Sequence, residues 1–426
     1  MYKIIYVVLD GLGDSSIPEL DNRTPLEAAR TPDLDYLASC GQLGSVYTVG
    51  EKVAPESDVA VISIIGYDAD KYYTGRGPLE SHAEGLKIND GDLAYRVNFA
   101  TLGKGSNEIL DRRVGRDLST PEAVELAEEL NAKVKLKSIP GASFEFKSTI
   151  GHRGVLVLRA QGNLSANVSN TDPAYGKKGV FGIALEKFDN VLLECRPLDH
   201  SKAAKDAAHL TNEFIKKSRK ILENSGVNRE RDALDKRIAN VILTRDAGDH
   251  LPKFPTMKEL FDLNFGCFVE MPVEKGIAML TGMREVASPP KTGKIDEDYL
   301  NWAKKVITTK SEFDGLYIHI KGPDEPAHDG DYQKKLESIE AIDRYFFRPL
   351  LKEINLDQTI ICVTADHATS CLIKAHSADP VPLLICGPGF KSDGIINFSE
   401  KSCQAGSIGT IKGVEIMPRL AKAAKA

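Results

Sequence analysis

Six short runs of consecutive apolar residues do most to restrict the folds open to this chain: KIIYVVL (3–9), ANVILTR (239–245), GCFVEM (266–271), GLYIHI (315–320), IICVTA (360–365) and VPLLICG (381–387). They lack a polar/apolar alternation, which marks strands buried on both faces. Helical patterns separate the later runs. YLNWAKKVITT (299–309) precedes one strand and YQKKLESIEAIDRYFFRPLLKEI (332–354) precedes the next. Strands alternating with helices build βαβ units, so the expected class is α/β, a mainly parallel sheet flanked by helices. Such a sheet binds ligands beyond the carboxyl ends of its strands.

Residues 87–190 follow another pattern. RVNFATL, ASFEFKSTI and GVLVLRA are shorter and more alternating, with polar turns such as GKGSN and SNTDPAYGKKG between elements. TPEAVELAEELNAK (120–133) reads as a helix capped by Thr120 with Pro121 at its first position. This stretch is expected to form a smaller inserted α+β domain, with 1–86 and 191–426 as the core. HSKAAKDAAHLTNEFIKKSRKILENSG (200–226) reads as an amphipathic helix closed by Gly226, returning the chain to the main sheet.

Charge and cysteine usage narrow the function classes. A net charge of −6 over 426 residues argues against general nucleic-acid or anionic-membrane partners, which call for basic surface. Seven cysteines without close pair spacing suggest reduced thiols and a cytoplasmic location. The apolar N-terminal run before Asp10 is too short for a signal-peptide core or a membrane span.

The ends of the apolar runs carry the chemistry. Asp10 ends the first, Asp324 and His328 follow GLYIHI, Asp366 and His367 end IICVTA, and His376 stands before VPLLICG. In a parallel sheet such tips share one edge. Singly, an Asp after a strand is a turn or cap residue and a His is a core residue. Together they form a carboxylate–imidazole set suited to Mn²⁺ or Zn²⁺ and too large for one catalytic ion, so two ions are expected. Ser57 begins a helical run, SDVAVISIIG, after Pro55. It reads either as an N-cap or as a hydroxyl placed where helix N–H groups favour anions, and beside a metal it would serve as a nucleophile.

LDGLGD (9–14), APESDVA (54–60), GPDEPAH (322–328) and TADHATS (364–370), with the later His376, resemble the alkaline phosphatase superfamily. TGRGPLE (74–80), YRVNFATL (95–102), LDRRVGR (110–116) and GHRGVLVLR (151–159) extend the resemblance to its archaeal-type cofactor-independent phosphoglycerate mutases, over nearly the whole chain. The resemblance implies an alkaline-phosphatase-like core with an inserted domain. It implies one ion on Asp10, Ser57, Asp366 and His367, another on Asp324, His328 and His376, and a phosphorylated Ser57 during turnover. Mn²⁺ suits the site best, with Zn²⁺, Co²⁺ or Mg²⁺ as alternatives, and no 2,3-bisphosphoglycerate is required.

A mutase must hold the dephosphorylated glycerate, and planar arginine forks grip carboxylates best. Arg76, Arg96, Arg112, Arg113, Arg116 and Arg153 are the candidates, each otherwise a solvated surface charge, with Arg284 and Lys291 as weaker ones. Asp111 is the candidate for moving protons between the glycerate hydroxyls. The expected reaction interconverts 2- and 3-phosphoglycerate. A metal-dependent phosphatase or phosphodiesterase, a phosphopentomutase and a catalytically idle metal protein remain the alternatives.

Overall fold

The computed structural model describes residues 1–178, 181–185 and 187–426. The chain divides into two compact units: Met1–Tyr72 with Phe254–Ala426, and Tyr73–Lys253.

The first unit is built on an eight-stranded sheet. Its order is Arg284–Glu285, Phe265–Phe268, Gly315–Ile320, Lys3–Leu9, Thr359–Thr364, Val381–Cys386, Gly41–Tyr47 and Gly409–Lys412. Lys3–Leu9 pairs in parallel with both neighbours, Ile4 opposite Gly315 and Ile360. Ile4 through Leu9 and the whole of Thr359–Thr364 are buried, as unalternating runs require. Helices complete the mixed α/β architecture expected from sequence.

Val381–Cys386 runs against both its neighbours. Its amino end therefore lies at the edge where the parallel strands finish. That reversal brings His376, which precedes the strand, to the same edge as Asp10 and Asp366. Gly41–Tyr47, whose sequence GQLGSVY carries no long apolar run, supplies a strand that the run pattern does not reveal.

In the second unit Leu93–Leu102 lies between Arg153–Arg159 and Val241–Gly248, antiparallel to both, with Ser143–Ser148 and Ile109–Asp111 extending the sheet. Helices Thr120–Lys133 and Lys202–Leu222 cover it, and Leu126, Leu130, Leu210, Phe214 and Phe146 share its core. Four expectations change here. ANVILTR joins this sheet rather than the main one. The unit spans Tyr73–Lys253, wider than 87–190, because the Lys202–Leu222 helix buries its apolar face here instead of returning the chain to the main sheet. Gly226 opens a further helix, Gly226–Ala233, rather than closing the long one. The cap of the Thr120–Lys133 helix is Ser119, which forms a reciprocal box with Glu122.

All seven cysteines are free thiols, and six are buried. Among the described residues no helix is long and apolar enough to cross a membrane.

Candidate metal and phosphoryl site

The Lys3–Leu9 strand stops at Asp10 because Gly11 turns the chain with φ of +63°. A side chain there would put its Cβ 2.7 Å from Thr369 Oγ1 and 2.8 Å from Asp324 Oδ1, so only glycine lets this loop lie over the site. Asp324 and His328 lie one helical turn apart on the short Asp324–Asp329 helix, which puts both on one face. Asp366 and His367 follow Thr359–Thr364 after the single residue Ala365. His376 sits opposite Thr369 in a two-stranded ribbon. Ser57 is the first residue of the Ser57–Ile64 helix, after Glu56 at the N-cap.

These residues form two ligand groups. Asp10, Asp366 and His367 make one, and Asp324, His328 and His376 the other, with the candidate ligand atoms of each group within 4.8 Å of one another. His367 Nε2 lies 3.4 Å from Asp10 Oδ1, 3.2 Å from Asp366 Oδ2 and 3.2 Å from Ser57 Oγ. Asp324 Oδ1 is 3.4 Å from His328 Nε2 and 3.9 Å from His376 Nε2. The His367 and His376 rings stack with centroids 3.7 Å apart.

The tautomers are set from behind. His328 Nδ1 donates to the Lys374 carbonyl at 3.1 Å and His376 Nδ1 to the Pro55 carbonyl at 2.8 Å. His367 Nδ1 meets the Thr369 hydroxyl at 3.0 Å. Each histidine therefore turns Nε2 toward the carboxylates, the arrangement that makes imidazole a metal ligand. Asp10 Oδ1 and Asp366 Oδ2 are buried and accept no hydrogen bond from the described residues. Burying charged oxygens without donors is expensive, and a divalent ion between them would satisfy both. The donor set and its orphaned atoms fit a metal.

Charges in this cluster shift one another strongly. Burial, then the Asp366 carboxylate, holds the Asp10 carboxyl well above the usual range. Burial opposes ionisation of Asp366, yet the neighbouring His367 holds its carboxyl well below that range. Burial alone would lower His367, but Asp366, Asp10 and Asp324 push it up to about 9. Burial and the His367 charge push His376 down to about 4.

Three residues that the run-end logic does not select, His319, Glu274 and Lys321, adjoin this cluster at Asp10. His319, Glu274 and Asp10 form a third candidate group, all buried. The chain fills that group with its own cation: Lys321 Nζ donates to Asp10 Oδ2 and stands 2.8 Å from Glu274 Oε1. Tyr317 OH lies 3.0 Å from His319 Nδ1, which turns His319 Nε2 toward Asp366, 3.7 Å away.

The arginines belong to the second unit, apart from Arg284. Arg76 donates to Glu80 at 2.6 Å and Arg96 lies 3.4 Å from the same carboxylate. Arg112 makes a two-pronged contact with buried Asp172, both bonds 2.8 Å. Arg245, absent from the sequence candidates, reaches Asp172 at 3.1 Å and stacks on Tyr175 at 4.3 Å. Its signal was present: it ends the run ANVILTR, as Asp10 ends KIIYVVL. Burial, and then the charges of Arg153, Arg113, Arg245 and Arg96, push His152 down to about 4, so these cations converge electrically. Arg116 is exposed and adds to the field at Arg113. Asp111 Oδ1 accepts the Arg113 N–H at 2.7 Å. Arg284 joins neither set. It is exposed, paired with Glu312 and stacked on Phe313, residues that precede the amino end of Gly315–Ile320. Lys291 pairs with Glu270 at 3.1 Å.

A mainly parallel sheet that crowds carboxylates, imidazoles and a helix-start serine onto one edge defines an α/β enzyme with a candidate cation-binding centre. The family model described as 2,3-bisphosphoglycerate-independent phosphoglycerate mutase matches residues 38–228. The enzyme of that name from Aeropyrum pernix is 43% identical over 98% of this chain and 98% of its own length, and that from Methanopyrus kandleri 36% over 97% and 94%. The solved cofactor-independent phosphoglycerate mutase from Thermoplasma acidophilum is 33% identical over the full length of both chains, with a TM-score of 0.66. The PH0037 protein from Pyrococcus horikoshii superposes with a TM-score of 0.81, at 29% identity over 100% of this chain and 97% of its own. The chain belongs to the 2,3-bisphosphoglycerate-independent phosphoglycerate mutases, which are isomerases.

Proposed function

We propose that this mutase interconverts 2- and 3-phosphoglycerate through a phosphoserine on Ser57, at a centre of two divalent ions. Asp10, Ser57, Asp366 and His367 would hold one ion, and Asp324, His328 and His376 the other. The observation that carries this reading is the shared orientation of the three histidines, each fixed through Nδ1 with Nε2 facing carboxylates, beside the Ser57 hydroxyl. Mixed carboxylate and imidazole donors suit Mn²⁺, with Zn²⁺, Co²⁺ and Mg²⁺ as substitutes. Bound ions would lower the pKa of a coordinated hydroxyl and offset the charge of a transferring phosphoryl group. Lys321 already occupies the third group, which supports a count of two ions rather than three.

In the proposed reaction Ser57 Oγ attacks phosphorus, forming a P–Oγ bond as the bond to the glycerate oxygen breaks. The proton lost by the Ser57 hydroxyl ends on that oxygen. In the return transfer the other glycerate hydroxyl loses a proton as it takes the phosphoryl group, the P–Oγ bond breaks and Ser57 Oγ is reprotonated. Asp111 is the proposed group for moving protons between the 2- and 3-positions. Arg76, Arg96, Arg112, Arg113, Arg116 and Arg153, joined by Arg245, are proposed to recognise the anionic groups of the substrate and retain glycerate between the two transfers. No bisphosphoglycerate enters this cycle.

A phosphorus-31 NMR time course with 3-phosphoglycerate, with and without Mn²⁺, tests the reading. The expected result is the 2-isomer without free phosphate, only when the ion is present. Phosphate released as fast as isomer forms would make the protein a phosphatase. Ser57→Ala is expected to abolish isomerisation, and a variant that retains it would remove the phosphoserine.

A further inference from the structure

We propose that the Thr369 hydroxyl is a positioning group that selects the ligating nitrogen of His367 and ties the two ligand groups into one unit. The proposal rests on the two-ion reading above and deepens it.

Thr369 is fully buried in the short Ala368–Ser370 strand. Its Oγ1 lies 2.7 Å from Asp324 Oδ1 and 3.0 Å from His367 Nδ1. A hydroxyl has one proton to give, and a carboxylate only accepts. The proton therefore goes to Asp324, and Thr369 must accept from His367 Nδ1–H. In the neutral ring that leaves Nε2 bare, on the side where Asp10, Asp366 and Ser57 lie within 3.4 Å. One hydroxyl thus touches a member of each ligand group.

The other two histidines differ in a way that matters. His328 and His376 are fixed by backbone carbonyls, which accept a hydrogen bond and pass nothing on. Only the His367 support is relayed to a carboxylate of the other group. Moving Asp324 would shift the Thr369 proton, and with it the bond that orients His367.

The hydroxyl is held in place by the backbone. Thr369 N–H donates to the Gly13 carbonyl at 2.9 Å. Fully buried Lys335 donates to the Thr369 carbonyl at 2.8 Å, the Gly13 carbonyl at 3.0 Å and Asp14 Oδ2 at 2.9 Å. None of these bonds uses the Thr369 side chain, so substitution there tests the hydroxyl rather than the loop.

The test is a calorimetric titration of metal-free full-length protein with Co²⁺, read in parallel by the visible absorption of the bound ion. The native protein is expected to take up two equivalents. Thr369→Val is expected to bind both about 10–100-fold more weakly, the usual cost of losing a supporting hydrogen bond behind a metal ligand, with an altered Co²⁺ spectrum. Thr369→Ser keeps the hydroxyl and is expected to restore near-native affinity and spectrum. Native affinity for both ions in Thr369→Val would overturn the proposal. So would equal weakening in Thr369→Ser, which would trace the effect to methyl packing. A native protein that takes up one equivalent would overturn the two-ion reading along with it.

Discussion

Lys321 is the residue on which the buried charge of the site turns. Its ammonium serves Asp10 and Glu274, and Glu274 is fully buried. Burial would raise the Glu274 carboxyl, but His319 and Lys321 hold it below its ordinary range. Lys321→Met would strand two carboxylates in the interior, a change that costs roughly 3–5 kcal/mol when one partner of a buried pair is removed. Without the lysine both carboxyls would titrate upward, so the native state would bind extra protons at lower pH. The loss, read by urea unfolding, is expected to be smaller at pH 5 than at pH 8. Asp172 plays the corresponding part among the arginines. Asp172→Asn would free the Arg112 fork and loosen Arg245, with an expected fall in kcat/KM of about 10–100-fold, carried mainly by KM. An unchanged KM would show that Arg112 does not meet substrate. The carboxylates and imidazoles of the candidate site stand out in the sequence because each closes, follows or precedes an apolar run. Lys321, His319 and Glu274 do not: a histidine within a strand looks like a core residue, and a glutamate on an amphipathic helix looks like surface. Only the folded contacts reveal that all three face Asp10.

At the scale of elements, the stretch 332–354 shows both the reach and the limit of periodicity. It reads as one helix, and the structure has helix Tyr332–Ile342, a wider π turn at Asp343–Phe347, and helix Arg348–Glu353. Pro349 supplies the reason. Inside an α-helix its ring would clash with the carbonyl four residues back and its missing N–H would break a bond, and the wider turn just before it absorbs both. Asp343 at the start of that turn is 1% exposed and accepts the N–H groups of Asp33 and Leu34 at the first turn of the Pro32–Cys40 helix. Burial pushes its carboxyl up to about 7 despite those donors, with the Asp33 charge adding to the rise. The native state therefore holds this proton at pH values where the unfolded chain has released it. Its contribution to stability is complete below the ordinary Asp range and is lost as pH rises through about 7, at a slope of at most about 1.4 kcal/mol per pH unit. Urea unfolding between pH 4 and pH 8 should show this decline, and Asp343→Asn should flatten it. A native slope unchanged by the substitution would assign the decline to other groups. Strand pairing was the less legible level. ANVILTR has the composition of a central parallel strand, but its partner is Leu93–Leu102, and composition does not name partners.

For the molecule as a whole, topology determines what the ligands can share. Gly315–Ile320, Lys3–Leu9 and Thr359–Thr364 are adjacent and parallel, so residues more than three hundred positions apart leave the sheet side by side. All seven candidate ligands lie in the unit formed by Met1–Tyr72 and Phe254–Ala426. In that unit Asp10, Asp366 and Asp324 face Lys321 and the His367 imidazole, and Asp10 Oδ1 and Asp366 Oδ2 are buried with no hydrogen bond from the described residues. Divalent ions bound there would relieve that burial cost in the native state alone, and so would add stability. An ion at 100 times its dissociation constant adds about 2.7 kcal/mol by linkage, which for a unit of this size corresponds to about 5–10 °C in Tm. Chelation is therefore expected to silence isomerisation and lower Tm together, and Mn²⁺ to restore both. Asp10→Asn should blunt the thermal response to Mn²⁺, because it removes a charge from the Asp10, Asp366 and His367 group while leaving the other intact. A chelated protein that stays inactive but melts at the native temperature would separate the ions from the fold. It would show that the buried carboxylates are stabilised by Lys321 and their own protonation, without help from a metal.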